Sequence, residues 1–375
     1  MKTLLCLSDT KWRVLPSRTQ NLLGRIGGVR LLFFEPPVVA LPLLGGDRKR
    51  RKKSAARENG RQVRDGVVAY ALPGILPGAD LHKWVRRHNE KKLASFIQSK
   101  LEELGVSDPL LWVSSSSYAG VVDYLTYSGL VFDCAQRSPA FAPEEEKLAS
   151  EADVVFAASP GIFAALSEHN KNTFLLPGGF QQPLFSLSDA DALPFPQELF
   201  TVKNPILGFA GTVWGDMDLS FAEYAASQRP DWSFVFVGKV RSGAPVEELK
   251  ALPNVQFLGY RKQGSLPSYL MRFDVLLDFR RACRRGSDVV PDRIYEYLAM
   301  GKPVVSSSIA PDLKEFEDVV YQADTRESFL ACIRQALQEN SAWKQERRRA
   351  FAASASWKNR SAEAVRRLKE CGIEL

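Results

Sequence analysis

The sequence predicts an α/β protein of two domains, each a parallel sheet covered by helices on both faces. Three observations carry that prediction. Residues 204–340 alternate short apolar runs with helical patterns. At 375 residues the chain is long enough for two cores. Residues 180–203, with Pro183, Pro194 and Pro196, read as a linker between two such alternations.

In the second half the apolar runs are 205–211, 232–238, 254–260, 273–279 and 303–308. They are too short for core helices and rich in Val and Phe, so they read as strands. Helical patterns fall at about 217–228, 265–272 and 291–300. Apolar strands separated by helices imply a parallel sheet buried on both faces. Right-handed crossovers then give a Rossmann-like domain, with ligands at the carboxyl ends of the strands.

The first half repeats the alternation more loosely. Its strands are expected at 3–8, 30–35, 67–72, 110–114, 130–134, 154–159 and 173–177, and its helices at about 17–26, 80–104, 118–127 and 160–169. A last helix is expected at about 357–370, with Trp357 suited to pin it across the domain boundary. The expected architecture is two Rossmann-like domains facing a cleft. Residues 1–185 form the first and residues 200–354 the second, and the C-terminal helix, 355–375, packs back on the first.

Composition narrows the function classes. The chain is 45% hydrophobic and 25% charged, as globular proteins are. No apolar run reaches the ~20 residues of a membrane span. The N-terminus, MKTLLCLSDTKW, reads as a first strand and not a signal peptide. Five scattered cysteines without a C-x-x-C pair argue against a zinc site and a disulfide framework, and for a reducing compartment. Three histidines make a histidine-rich metal site improbable. Much of the net charge of +7 sits in residues 48–64, with nine basic residues and one acidic. That run reads either as a solvated loop or as a contact with anionic lipid or a polyanionic acceptor. It lacks interleaved aromatics, which disfavours nucleic acid.

The stretch 288–307, DVVPDRIYEYLAMGKPVVSS, holds the densest chemistry. Pro291 suits the first helical position, and Gly301 and Pro303 end the helix. Asp288 and Glu296 lie eight apart with Arg293 between them. A helix N-terminus attracts phosphate, a carboxylate takes ribose hydroxyls, and arginine binds phosphate through a planar fork. Glu296 and Met300 follow Arg293 at i+3 and i+7, so Arg293 and Glu296 can face one ligand. Acids decorating a helix start explain the same residues without a ligand.

Other candidates are weaker. Gly208-Phe-Ala-Gly211-Thr212-Val-Trp-Gly215 sits where a strand ends and a helix begins, so its N–H groups can approach a phosphate. Gly238 repeats the idea after the next strand. Arg280, Arg281, Arg284 and Arg285 follow a strand end; a ligand role falls to at least one of them, Arg281 included, unless the loop is merely solvated. In the first half, Trp12-x3-Pro16-x-Arg18-x-Gln20 opens the first helix, and Asp133 ends the strand LVFDC. Arg18 is either a cleft residue or a helix-surface residue. Asp133 is either a base or acceptor-orienting group, or a strand-end turn residue.

Pro291-x-Arg293-x-x-Glu296-Tyr-Leu-Ala-x-Gly301-Lys-Pro-Val-Val resembles the donor-binding domain of GT-B glycosyltransferases, especially glycosyltransferase family 4. The resemblance implies donor ribose for Glu296, donor phosphate for Arg293 and, at the first position of the family's E-x7-E, contact near the transferred sugar for Asp288. Trp12…Gln20 and Phe132-Asp133-Cys134 resemble bacterial members near teichuronic-acid, capsule and exopolysaccharide synthesis. Two features depart from the family. No basic pair follows the first donor-domain strand, and no histidine stands at the usual first-domain position.

The expected function is transfer of a sugar from a nucleotide-diphosphate sugar to a glycan or lipid-linked acceptor in cell-surface polysaccharide synthesis. UDP-sugar is the default donor, and the resemblance implies retention of configuration. Catalytic candidates are Asp288, Asp133 and Arg18. Donor-binding candidates are Glu296, Arg293, Gly211, Thr212, Gly238 and Arg281. No metal and no cofactor beyond the substrate are expected, since Asp216-x-Asp218 is a poor metal motif. The expected location is cytoplasmic, peripheral at the inner membrane face through residues 48–64. A GT-B-fold nucleotide-sugar epimerase and a non-catalytic GT-B scaffold module are the rival readings.

Overall fold

The computed structural model describes residues 1–13, 16–39, 58–185, 193–279, 289–307 and 316–375. Two compact units emerge. The first comprises Met1–Pro177 with Arg360–Leu375, and the second Gly178–Asn359.

The first unit is built on an eight-stranded sheet. Its strands are β1 (Lys2–Leu7), β2 (Val29–Glu35), β3 (Arg61–Arg64), β4 (Val67–Ala71), β5 (Leu110–Val113), β6 (Gly129–Cys134), β7 (Val154–Ala157) and β8 (Thr173–Leu175). Their order is β3-β4-β2-β1-β5-β6-β7-β8. Every pairing is parallel except β3 on β4. The central strands are buried throughout: β5, β6 and β7 have no exposed residue. This is the consequence of helices covering both faces.

β3 revises the reading of the basic run as one loop. Residues 61–64 form an antiparallel edge strand, with Arg61 opposite Ala69. Arg61 lies 3.6 Å from Glu35, and Arg64 donates to the Gly24 carbonyl. Charged side chains on an edge strand discourage pairing with another chain. Residues 48–57 lie outside the described residues.

The second unit holds a six-stranded sheet of β9 (Ile206–Ala210), β10 (Ser233–Val237), β11 (Val255–Gly259), β12 (Val275–Asp278), β13 (Val304–Ser306) and β14 (Val320–Gln322). The order β11-β10-β9-β12-β13-β14 is all parallel. This is the doubly wound arrangement, with the chain reversing direction at β9. Three-residue β14 was too short to stand out as a run. The helix Arg326–Gln338 covers this sheet, capped by a reciprocal Thr325–Ser328 box. It buries Phe329 and Ile333 completely, each contributing about 1.5–3 kcal/mol.

The helix Trp357–Glu370 belongs to the first unit from Arg360 onward. There Ser361 donates to the Leu22 carbonyl at 2.9 Å. Trp357 itself is 2% exposed, and its N–H donates to the Phe180 carbonyl at 3.1 Å, both in the second unit.

Candidate active site

The site is built around the helix Asp292–Ala299. Pro291 is its N-cap, with extended backbone, so the first helical residue is Asp292 and not Pro291. Gly301 ends the helix at φ +73, a conformation glycine adopts freely. Ile294, Tyr295, Tyr297, Leu298 and Ala299 are buried. That face anchors the helix on the sheet and leaves Arg293 and Glu296, one turn apart, half-buried. Met300 is 1% exposed, so it continues into the core and away from any ligand. Asp292 already places negative charge in the helix's first turn. That charge opposes the helix dipole's attraction for an anion at this N-terminus.

Arg293 reaches the end of β12. Its Nε donates to Asp278 Oδ1 at 2.8 Å, and its Nη2 donates to the same oxygen. Asp278 is fully buried, and Ser306 Oγ donates to its other oxygen at 3.3 Å. Burial works against the Arg293 charge, but the Asp278 carboxylate together with Tyr297 and Glu296 outweighs that and raises the guanidinium pKa. The guanidinium also stands 5.2 Å over the Phe209 ring. Its Nη1 makes no hydrogen bond among the described residues, and the side chain is 19% exposed. One edge of the fork is therefore fixed and the other is open. Asp278 was read only as part of a strand, and no sequence signal distinguished it.

Glu296 has a different environment. Burial, then repulsion from Asp292, pushes its carboxyl up to about 8, against Arg293 and a hydrogen bond with Gln263. Gln263 follows β11, so Glu296 faces the loop beyond that strand. A carboxyl held near neutrality can accept or donate to a sugar hydroxyl.

The glycines beside this helix do not offer the free N–H groups expected of them. Gly211 N–H donates to the Val237 carbonyl and Gly238 N–H to the Gly259 carbonyl, both at 2.9 Å. At Gly238 the strand ends approach closely, while Gly211 is set apart by its φ of +154. A Cβ on Gly238 would lie 1.8 Å from the Gly211 carbonyl oxygen, and its φ is +150. Gly208 makes room for the Phe273 ring, which a Cβ there would meet at 1.9 Å. Tyr297 completes the junction. Its hydroxyl accepts from Ala210 N–H at 2.8 Å and donates to the Ala210 carbonyl at 3.0 Å. Thr212 is half-buried, and its hydroxyl makes no hydrogen bond among the described residues. The loop after β9, which lacks the basic pair, is bonded to the loop after β10. Val213 exchanges backbone hydrogen bonds with Lys239 and Arg241, at 2.8 and 3.0 Å, and Arg241 stands 4.8 Å over Trp214. The loop after β10 thus brings the Arg241 charge to the loop after β9, while the Lys239 ammonium stands 4.9 Å over the Tyr260 ring beyond β11.

In the first unit Arg18 and Asp133 meet each other. Arg18 Nη2 and Nε donate to Asp133 Oδ1 at 2.9 and 3.1 Å. Nη1 donates to the Pro177 carbonyl at 3.0 Å and Nη2 to the Leu176 carbonyl at 2.7 Å. Asp133 is fully buried. The two catalytic candidates Arg18 and Asp133 are thus paired with each other, and the guanidinium also holds the chain at Leu176 and Pro177. Gln20 likewise closes a capping box with Ser17 and exchanges hydrogen bonds with the Arg13 backbone. Asp288 and Arg281 lie outside the described residues.

Sequence reasoning passed over Asp9, which lies just past β1 and is exposed. Partial desolvation raises its carboxyl pKa, its own backbone hydrogen bond opposes this, and the Asp133 charge adds to it. It lines a cavity of about 470 Å³ with Pro36, Ile75, Asn89, Glu90 and Tyr118. A larger cavity of about 600 Å³ lies by β14 and the helices Arg326–Gln338 and Ala342–Ser354, and none of the predicted site residues lines it.

Comparison with known proteins places this geometry in a class. Residues 204–339 match the family described as Glycosyl transferases group 1, so the second unit carries a domain of that family. Over 158 residues the chain is 30% identical to a Bacillus subtilis (strain 168) protein described as a teichuronic acid biosynthesis glycosyltransferase, TuaH. The match covers 40% of this chain and 40% of that relative's length. Sucrose-phosphate synthase from Thermosynechococcus elongatus superposes with a TM-score of 0.70 at 15% identity, covering 99% of both chains. Anabaena Alr3699/HepE, solved with UDP, superposes with a TM-score of 0.69 at 15% identity, covering 99% of this chain and 100% of that one. At such identities the likeness is one of fold, and the fold is GT-B.

Proposed function

We propose that the protein transfers a sugar from a nucleotide-diphosphate sugar, a UDP-sugar by default, to a glycan or lipid-linked acceptor in cell-surface polysaccharide synthesis. Configuration at the sugar is retained, and the work is done in the cytoplasm at the membrane's inner face. The observation that carries the reading is the Arg293–Glu296 turn, set at the carboxyl ends of the strands in the domain that matches the glycosyl transferases. A UDP complex of a protein with this fold supports the donor class.

In the reaction the bond from the sugar's anomeric carbon to the diphosphate breaks, and a bond to the acceptor hydroxyl oxygen forms. The acceptor's proton leaves to a base, and the nucleoside diphosphate departs with the bonding pair. Negative charge grows on the diphosphate as it leaves. Arg293 Nη1 and Arg241 are the described cations assigned to stabilise it, so no metal is invoked. Glu296 takes the donor's ribose hydroxyls, and Thr212 offers one further hydroxyl at the same strand end. Asp288 keeps the catalytic contact near the transferred sugar that the family resemblance implies, and Arg281 keeps its donor contact. Asp9, at the end of β1, replaces Asp133 as the carboxylate that orients the acceptor.

The test is calorimetry with uridine, guanosine and adenosine diphosphates, followed by a hydrolysis screen over nucleotide sugars with and without chelator. UDP binding and chelator-resistant release of UDP are the expected results. An absence of nucleotide binding removes the reading and leaves a scaffold role. Exchange of solvent deuterium into the donor sugar moves it to epimerisation.

A further inference from the structure

An apolar rim runs along one edge of the first unit. Beyond β2 the chain passes Pro36 and Pro37 to Val38 and Val39, which are 61% and 54% exposed. The Val38 carbonyl accepts the Ile75 N–H at 3.0 Å. Leu76 exchanges two hydrogen bonds with the Asn89 side chain, both 2.9 Å, which straps this strip to the helix Lys83–Glu103. A turn in which Leu81 and His82 N–H donate to the Gly78 carbonyl leads into that helix. Leu81 is 82% exposed and Trp84, in the first turn, 69%. Single exposed apolar residues are ordinary, but here Val38, Leu76, Leu81 and Trp84 follow one hydrogen-bonded path.

The same helix turns cations outward. Arg87, His88 and Lys91 follow Trp84 at i+3, i+4 and i+7, and all are exposed. Val85, Asn89 and Leu93 face the core. Residues 79–92 contain five basic and two acidic side chains. Arg86 is paired with Glu144 at 3.0 Å, which leaves Lys83, Arg87 and Lys91 without an ion-pair partner among the described residues. Behind the rim lies the cavity of about 470 Å³, whose walls include Pro36, Pro37, Ile75, Leu93 and Phe141.

We propose that this edge of the first unit docks on an anionic lipid surface. Trp84, Leu81 and Val38 enter the headgroup layer, and Lys83, Arg87 and Lys91 pair with lipid phosphates. An indole with one apolar body and one polar N–H suits that depth, and a cation near an anionic surface adds to the attraction. The excess of positive charge opposes a second copy of the chain as the occupant, since two such faces repel. The surface stands on geometry independent of residues 48–57. One consequence rests on the glycosyltransferase reading: a lipid-linked acceptor would enter the cavity behind the rim without leaving the membrane plane.

The test is co-sedimentation of the full chain, without substrates, with phosphatidylcholine vesicles and with vesicles of phosphatidylcholine and phosphatidylglycerol. Binding to the anionic vesicles only, weakened by salt, is expected. The paired change Leu81→Ser and Trp84→Ser weakens it by about tenfold or more, as loss of inserted apolar area requires. Bromolipid quenching seen in wild type is lost in Trp84→Phe. Wild-type affinity in the paired variant overturns the proposal, as does sensitivity only to neutralising Arg48–Lys53, or absence of vesicle binding. Both substituted side chains are exposed, and circular dichroism verifies folding. Vesicle binding is read without nucleotide, so its failure and the failure of the transferase reading are separate results.

Discussion

The two units use the same device and reach opposite ends. In each, an arginine in the first turn of a helix reaches a buried aspartate at the carboxyl end of a strand: Arg18 to Asp133, and Arg293 to Asp278. In the first unit every guanidinium nitrogen is taken, by the carboxylate and by the carbonyls of Leu176 and Pro177. In the second, Nη1 is left over, and the fork is 19% exposed above an aromatic ring. The first pair is a lock and the second a mount. What separates them is the fate of the remaining donors, not the residue types.

The comparison breaks most visibly at the lock. Arg18→Met strands the Asp133 carboxylate in the interior and is expected to cost about 3–5 kcal/mol in denaturant unfolding. The double change Arg18→Met with Asp133→Asn recovers most of that loss, because no uncompensated charge remains. If the double variant folds well but has lost transfer activity while nucleotide binding persists, the lock is also catalytic and the contrast fails. Gly238→Ala is next. Its methyl would sit 1.8 Å from the Gly211 carbonyl oxygen, so a loss of about 2–4 kcal/mol is expected, with UDP affinity falling alongside as the strand ends part. An unchanged melting temperature would show that the junction is pliable.

At the mount the effect moves from stability to binding. Arg293→Met with Asp278→Asn is expected to fold near wild-type stability yet bind UDP about 10–100-fold more weakly, the scale of one lost charge-assisted contact. Arg293→Lys keeps the charge but not the fork, and falls between. Equal UDP affinity in wild type and the double variant would make this pair a second lock.

Much of the fold was legible because buried parallel strands write themselves as continuous apolar runs. β6 and β10 lie where LVFDC and WSFVFVG placed them. β3 and β14 were missed for physical reasons. One is a charged edge strand, and the other is three residues long. In the site, helix spacing sets Arg293 and Glu296 one turn apart, since i+3 is a local property. The aspartates could not be sorted that way. Asp133 and Asp278 both end apolar strands, and only the tertiary partners tell which arginine is saturated. The glycines misled for a related reason. Gly238 signals close backbone approach, and the sequence does not say whether a phosphate or another strand end is what comes close.

Glu296 gives the finest probe of the mount, because its ionisation registers how much of Arg293 is free. Its carboxyl is pushed to about 8, against about 4.3 in an unfolded chain. The folded protein therefore holds a proton that the unfolded chain releases, and stability falls as pH rises through the window between those values. Glu296→Gln removes the titration. It is expected to be near neutral at pH 4 and to stabilise by about 1–2 kcal/mol at pH 9, less than the full shift implies because the half-buried site relaxes with solvent. Nucleotide acts in the opposite direction. Ribose hydroxyls donating to the carboxylate favour its ionised form, so UDP should bind wild type more tightly as pH rises toward 8, with proton release visible in buffers of different ionisation enthalpy. The Gln variant should bind more weakly and show neither effect. Were Arg293 to swing from Asp278 onto Glu296, the carboxyl would already be ionised at neutral pH. Both pH dependences would then vanish from the wild type, and the mount would be a salt bridge within the helix.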